Sequence, residues 1–374
     1  MRVLHVIGTA EVGGGGEHLV HLARGLMVHD CTSSVVVGRD GLAGARLREA
    51  GIPIIAIGPM GAGALWTLTR VLRRERPDVV HLHGSRAGLL GALSARAAGI
   101  QPIIYTAHAF AFRREDYAFF RDVFVLAERA TCALADQVIC LTHGDLSAAK
   151  GAGIEMRHAT VIPNGIDLAR FNVDGDRRAL GIPEGAPVIG MVARLVPQKD
   201  PTTFLHAARL VADALPEARF LLIGDGPLRP AVEATVQKLA LEGRCLVLGT
   251  RQDVPQLLAA MDVLWLTSRW EGLPFAALEA MAASRPVVAS RLPGINEVVE
   301  DGLTGVLVPP GDAPEFARAT IALLSDAPRR AAMGTRALRR VAEHFSIERM
   351  VNSTVRVYHA ALAARGSTTE VRTT

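Results

Sequence analysis

Pro163-Asn164-Gly165-Ile166-Asp167 divides this chain of 374 residues into two similar halves. Asn-Gly behind a proline is strong turn chemistry, because Pro presets φ and Asn and Gly tolerate positive φ. On the N-terminal side of this turn, short β-branched runs alternate with longer stretches of helical spacing. The runs are Val3–Ile7, Val35–Val37, Ile54–Ile57, Val79–Leu82, Ile103–Tyr105, Val138–Leu141 and Thr160–Ile162. Beyond the turn the alternation restarts with Val188–Val192, Phe220–Ile223, Leu246–Leu248, Val263–Leu266, Val287–Ala289 and Val306–Val308. Such alternation implies βαβ units and parallel sheets. The expected fold is α/β, with two doubly wound Rossmann-like domains, 1–164 and 165–345, facing across a cleft. Segment 346–364 reads as a helix crossing back to the first domain. Residues 365–374, poor in large apolar side chains, read as a disordered tail.

Composition narrows the function classes. Hydrophobic residues make up 49% of the chain and charged residues 21%, which suits well-packed globular domains. A net charge of +4 permits an anionic ligand or membrane surface, but it is not the dense basic stripe of a nucleic-acid-binding protein. The cysteines, at 31, 132, 140 and 245, form no close Cys-x-x-Cys pair, so neither a zinc knuckle nor a redox motif is indicated. That pattern suits a reducing cytoplasm. No run approaches the roughly 20 apolar residues of a membrane helix. Met1 to Ile7 reads as a first strand rather than a signal peptide.

The candidate chemistry follows predicted strands, where ligands bind in doubly wound sheets. Glu271 and Glu279 lie within Trp270-Glu271-Gly272-Leu273-Pro274-Phe275-Ala276-Ala277-Leu278-Glu279. Pro274 can open a helix, which would set two carboxylates near a helix N-terminus that attracts anions. Carboxylates beside an anion site suit a ligand carrying both hydroxyls and phosphates, such as a nucleotide-sugar. Arg194 and Lys199 fall on a loop between a strand end and a helix start. A forked guanidinium and a compact ammonium there suit a diphosphate, although a solvated loop pair is the plainer alternative. Gly13-Gly14-Gly15-Gly16-Glu17 follows the first strand and would let backbone N–H groups approach a phosphate, unless it is only a tight turn. It lacks both Gly-x-Gly-x-x-Gly and the Lys-Ser/Thr of a P-loop, which weighs against a dehydrogenase or an ordinary ATPase.

Three other features have bland readings. His108 reads as a hydrogen-bonded loop residue. His81 and His83 share a strand face but have no third metal ligand at a convincing nearby spacing. Asp174-Gly175-Asp176 reads as a turn and helix cap rather than a cation site. Six of the chain's 17 aromatic residues fall between 110 and 124, interleaved with Arg113, Arg114 and Arg121. That segment is either a helix with its aromatic face in the core or a basic, aromatic surface for the cytoplasmic membrane face.

Taken together, the chain resembles a group 1 glycosyltransferase of glycosyltransferase family 4, which has the GT-B fold. The resemblance rests on Val161–Asp167, Gly190–Lys199, Leu222-Ile223-Gly224-Asp225-Gly226-Pro227, Leu248–Val254, Glu271–Ala282, Gly294-Ile295-Asn296-Glu297-Val298-Val299 and Asp301-Gly302-Leu303-Thr304-Gly305, in that order. It implies a retaining, metal-independent transferase without a cofactor, whose substrate is a nucleotide diphospho-sugar, UDP-linked. Arg194 and Lys199 would grip the diphosphate, helped by the backbone of Gly14 and Gly15. Glu279 would bind the ribose. Glu271 would face the transferred sugar in a pocket shaped by Gly272, Leu273, Pro274 and Phe275. The Thr250–Arg251 backbone would lie near the base, and His108 would contact the sugar. Two departures stand out: four consecutive glycines where the family shows two, and Ser284-Arg285-Pro286 in place of Gly-x-Pro. Arg285 is expected to reach the end of the Glu279 helix.

The expected partners are the nucleotide-sugar and a glycan or lipid-linked glycan acceptor in cell-envelope or exopolysaccharide assembly, with no nucleic acid. A cytoplasmic protein, peripheral on the inner membrane face, would meet that acceptor. Alternative readings are a GT-B epimerase, a soluble disaccharide synthase, or a non-catalytic GT-B binding module.

Overall fold

In a computed structural model the chain forms two units, Met1–Gly165 with Ile347–Thr374, and Ile166–Ser346. The structure describes residues 1–11, 13–61, 63–113 and 119–370, with side chains through Arg365.

The first unit holds a seven-stranded sheet in the order β3-β2-β1-β4-β5-β6-β7. The strands are β1 (Arg2–Thr9), β2 (Thr32–Arg39), β3 (Ile54–Ala56), β4 (Val79–His83), β5 (Ile103–Ala107), β6 (Gln137–Cys140) and β7 (Ala159–Val161). All neighbouring pairs are parallel. Helices α1 (Gly14–Leu26), α2 (Leu42–Glu49), α3 (Ala64–Glu75), α4 (Ser85–Ala98), α5 (Arg121–Leu134) and α6 (His143–Gly151) connect or follow them. Such sheets are buried on both faces, which explains strands that read as continuous apolar runs. The last helix of the chain, α14 (Ile347–Glu370), packs on this unit. Its Met350, Val351 and Tyr358 join Val3, Leu22, Leu26, Val79 and Ile104 in one apolar cluster. The helix runs six residues past its expected end at 364, so the disordered tail does not begin at 365. Residues 371–374 lie outside the described residues.

The second unit holds a six-stranded parallel sheet in the order β10-β9-β8-β11-β12-β13. Its strands are β8 (Val188–Val192), β9 (Arg219–Ile223), β10 (Cys245–Gly249), β11 (Val263–Leu266), β12 (Val287–Ser290) and β13 (Gly305–Val308). They are flanked by α7 (Pro201–Ala214), α8 (Arg229–Lys238), α9 (Val254–Ala259), α10 (Phe275–Ala282), α11 (Pro293–Val298), α12 (Ala313–Leu324) and α13 (Ala327–His344). Trp265 anchors the core against Phe204, Phe220 and Phe316. Each expected strand is present, most with bounds one or two residues wider.

In both sheets the strand order reverses once, at β1/β4 and at β8/β11. The chain leaves these strand pairs in opposite directions and opens a crevice at their carboxyl ends, where doubly wound sheets bind ligands. The dividing stretch is tied down on both sides. Asn164 and Gly165 are held by His18 and His21 of α1, and the Gly165 N–H meets the Met350 sulfur at 3.2 Å. The Ile166 N–H donates to the Phe345 carbonyl at 2.8 Å.

Candidate functional site

In the second unit, the loop after β8 carries Arg194 and Lys199 and the loop after β11 carries Glu271. Several bonds stitch these loops together. The Thr267 hydroxyl donates to the Lys199 and Asp200 carbonyls at 2.9 and 3.0 Å. The Arg269 N–H donates to the Gln198 carbonyl at 2.9 Å, and Arg269 Nε donates to the Asp200 carboxylate at 3.2 Å. Asp200 sits in a left-handed conformation (φ 47°) and caps α7 through the Thr203 N–H and hydroxyl. Short polar side chains tolerate that conformation by bonding locally.

This stitching brings Lys199 Nζ into an ion pair with Glu271 Oε1. The Ser268 hydroxyl donates to the same oxygen at 2.6 Å. Gln198 donates its amide to the Trp270 carbonyl at 3.1 Å and reaches Glu271 Oε2 at 3.5 Å. Glu271 is buried (7% exposed), and so are Gly272, Leu273, Pro274 and Phe275. Sequence reading missed Ser268 and Gln198, which lie in no charged pattern.

Two glycines explain why motifs distant in sequence accompany these loops. A Cβ on Gly294 would lie 1.6 Å from the Gly272 carbonyl oxygen, so α11 can pack on the Glu271 loop only with glycine there. A Cβ on Gly226 would lie 2.5 Å from the Leu195 carbonyl oxygen. The Leu195 N–H in turn donates to the Asp225 carbonyl at 2.9 Å, which fixes the loop beside exposed Arg194.

Other assignments shift. Pro274 is the extended N-cap (ψ 122°), and α10 starts at Phe275. Glu279 is therefore the fifth residue of α10, half-buried, and not at the helix start. Thr250 and Arg251 are exposed after β10, two strands from the β8/β11 crevice. Arg251 makes a two-point pair with Asp253 at 2.7 and 2.6 Å. Arg285 does not reach the end of its own helix α10. Its guanidinium donates to the Ala259 carbonyl at 2.9 Å, capping the C-terminus of α9 instead. In Asp174-Gly175-Asp176, the Asp176 carboxylate accepts from the Ala179 N–H at 3.0 Å in a turn, with no helix following.

In the first unit, α1 begins at Gly14 rather than near Glu17, so Gly14 and Gly15 form its first turn. A carbon placed on Gly15 would sit 3.7 Å from the His108 ring, so these two candidates are neighbours. His108 does not stand alone. His83 Nδ1 lies 3.3 Å from His108 Nε2, and His5 Nδ1 lies 3.1 Å from His83 Nε2. His81 is held between Tyr358 Oη and Thr106 Oγ1 at 2.6 and 2.7 Å. The parallel register places His5 beside His81 on adjacent strands, and α1 adds His18 from the loop side. The third ligand type that neighbouring sequence lacks is thus supplied from distant segments. Burial pulls the pKa of His5 down to about 3 and that of His18 to about 4. Burial and the adjacent histidines hold His81, His83 and His108 well below the usual imidazole range.

The aromatic-basic segment splits. Phe110 and Phe112 are buried, and Arg113 is paired at 2.6 Å with the fully buried Asp145 carboxylate. Phe119, Phe120, Val123 and Leu126 are exposed, Phe119 by 92%. Arg114 and Tyr117 lie outside the described residues. No helix among the described residues is long and apolar enough to cross a membrane.

Comparison with known proteins agrees with this architecture. The family model described as Glycosyltransferase Family 4 matches residues 12–170, and that described as Glycosyl transferases group 1 matches residues 186–326. An Escherichia coli UDP-Gal:alpha-D-GlcNAc-diphosphoundecaprenol alpha-1,3-galactosyltransferase is 34% identical over 272 residues, 70% of each chain. A D-inositol 3-phosphate glycosyltransferase of Salinispora arenicola is 30% identical over 417 residues, covering 97% of this chain and 90% of that one. Anabaena HepE, solved in complex with UDP and glucose, superposes with a TM-score of 0.87 at 23% identity, covering 96% of this chain and all of that one. The chain belongs to the group 1 glycosyltransferases of glycosyltransferase family 4 and has the GT-B fold.

Proposed function

We propose that this glycosyltransferase moves a hexose from a UDP-sugar to a lipid-linked glycan, with retention of anomeric configuration and without a required metal. The observation that carries this reading is the Lys199–Glu271 pair at the β8/β11 crevice, with exposed Arg194 on the same loop. Arg194 and Lys199 grip the diphosphate and stabilise the charge that grows on it as the sugar–phosphate bond breaks. Preorganised electrostatic stabilisation of developing charge is usually the largest single contribution to lowering such barriers. Glu279 binds the ribose hydroxyls, and Glu271 orients the sugar in the Gly272–Phe275 pocket. Within the first unit, His108 and the first turn of α1 are the candidate donor contacts.

Retention arises by front-face attack. The acceptor oxygen bonds to the anomeric carbon as the carbon–oxygen bond to UDP breaks. The acceptor proton passes to the departing phosphate oxygen, and UDP leaves. Glu271 is a poor nucleophile in this setting, because Lys199 and Ser268 both engage its Oε1. Trapping a covalent glycosyl–Glu271 species would overturn this step.

The lipid-linked acceptor is supported by the exposed apolar cluster of Phe119, Phe120, Val123 and Leu126 at the start of α5, with Arg121 beside it. Several large apolar side chains exposed within one short stretch suit an interaction site, and aromatic and basic residues suit a bilayer interface. On this reading the enzyme works at the cytoplasmic membrane face, in cell-envelope or exopolysaccharide assembly. The galactosyltransferase relative named for a diphosphoundecaprenol acceptor agrees with that reading. A donor screen over common UDP- and GDP-sugars, with NMR of the product's anomeric proton, tests the reading. Retained configuration from a UDP-hexose supports it, and inversion or an unlinked epimer refutes it.

A further inference from the structure

We propose that His18, His83 and His108 of the first unit form a binding site for one divalent cation of the zinc type. Their ligand nitrogens lie within 4.8 Å of one another, and the grouped side chains are all histidines. His83 Nδ1 and His108 Nε2 are already 3.3 Å apart. That is the separation of two nitrogens on one tetrahedral zinc, since zinc–nitrogen bonds of about 2.0–2.1 Å at tetrahedral angles set them roughly 3.3 Å apart.

The third nitrogen is prepared for the role. His18 Nδ1 lies 3.0 Å from Asn164 Oδ1, and an amide oxygen only accepts, so Nδ1 carries the hydrogen and Nε2 the lone pair. His18 Nε2 is buried and has no hydrogen-bond partner among the described residues. A ligating histidine held through its other nitrogen by an oxygen acceptor is the usual outer arrangement of metal sites. His83 has a comparable support, because its Nε2 rests 3.1 Å from His5 Nδ1.

An all-imidazole set selects zinc, cobalt, nickel or copper and offers nothing to magnesium or calcium, which take oxygen ligands. Three protein ligands leave a fourth position for water or an anion. His108 is only partly buried and gives the cation its route of entry. Once bound, the cation occupies a His108 nitrogen and competes with any use of that imidazole toward a sugar.

The test is titration of the full chain, free of any histidine tag, with cobalt(II) and zinc. Expected are one equivalent of cobalt with visible bands of a nitrogen-bound four- or five-coordinate ion, displaced by zinc and untouched by magnesium. His18→Gln should weaken binding by about tenfold or more, by analogy with the loss seen when even outer partners are removed. His206→Gln, on the exposed side of α7, should leave binding unchanged. Absence of cobalt bands, or equal affinity in a folded His18→Gln, would overturn the proposal. If His18→Gln does not fold, anomalous scattering at the zinc edge from wild-type crystals decides. A peak between His18, His83 and His108 supports the site, and zinc elsewhere or nowhere rejects it.

Discussion

The Lys199 ammonium is ion-paired with the Glu271 carboxylate, and the Ser268 hydroxyl shares the same carboxylate oxygen. Two residues 72 positions apart, with jobs that read as separate in the sequence, form one unit at the β8/β11 crevice. Loss of one partner leaves the other charge buried and uncompensated. Lys199→Met should therefore destabilise the second unit by on the order of 3 kcal/mol, while Lys199→Met with Glu271→Gln recovers much of that loss. Both variants should be inactive. Urea denaturation of the two singles and the double measures the coupling, and additive losses would show that the pair is not structural.

Glu279 stands on α10 and Glu271 on the loop that precedes it, so the two carboxylates should separate kinetically. Removing a charged hydrogen-bond acceptor for ribose costs about 1.5–3 kcal/mol, so Glu279→Ala should weaken UDP binding about tenfold or more. Glu271→Ala should lower turnover more than UDP affinity, as expected for an interaction with the sugar being moved. Calorimetry with UDP and initial rates at saturating donor distinguish the two. The assignment fails if both variants lose affinity equally.

Acid should weaken the first unit. His5 and His18 take a proton in the unfolded chain near pH 6.5, but in the folded one only near about 3 and 4. Below 6.5 the unfolded chain binds more protons, so stability falls as pH drops towards 4 and is insensitive to these groups above 6.5. Each contributes a slope of up to about 1.4 kcal/mol per pH unit. Denaturation midpoints between pH 8 and 4.5, with a chelator present, should show that decline, and His18→Gln should make it shallower.

Ser284 closes α10 in a Schellman turn. Its N–H donates to Met281 and the Arg285 N–H donates to Ala280, at 3.0 and 2.8 Å. This needs φ +57° at Ser284, the left-handed region where glycine is relaxed and other residues are strained. The departure from Gly-x-Pro therefore has a stability cost, and Ser284→Gly should raise stability by roughly 1 kcal/mol. Thermal melts test it, and an unchanged or lower melting temperature would contradict it.

The exposed start of α5 should bind membranes. Phe119→Ala/Phe120→Ala removes two aromatic rings that carry little packing duty and should reduce co-sedimentation with vesicles containing anionic lipid, without changing the melting temperature. Equal binding by the folded double variant would remove the membrane from the account.

The strand pattern was legible because buried parallel strands need short β-branched runs and their crossovers need helical spacing. Arg194, Lys199 and Glu271 were legible as charges on loops that follow strands. Their pairing was not, because register between β8 and β11 comes from sheet order, which no local pattern carries. The histidine cluster was hidden for the same reason: His5, His18, His83 and His108 come from β1, α1, β4 and the end of β5. Arg285 misled because sequence neighbours suggest its own helix, whereas the Schellman turn swings it to the end of α9. The 110–124 segment was ambiguous because its aromatics face both ways, Phe110 and Phe112 inward and Phe119 and Phe120 outward.

Arg194 offers the most direct test of the whole account, since it is exposed and its loss should leave the fold intact. The measurement is the rate of transfer of labelled hexose from its UDP-sugar by wild type and Arg194→Ala. The account predicts transfer by wild type, and a fall of about a hundredfold or more in turnover for the variant at an unchanged melting temperature. Transfer by Arg194→Ala at the wild-type rate, or a wild type that takes sugar from no nucleotide donor, would contradict it.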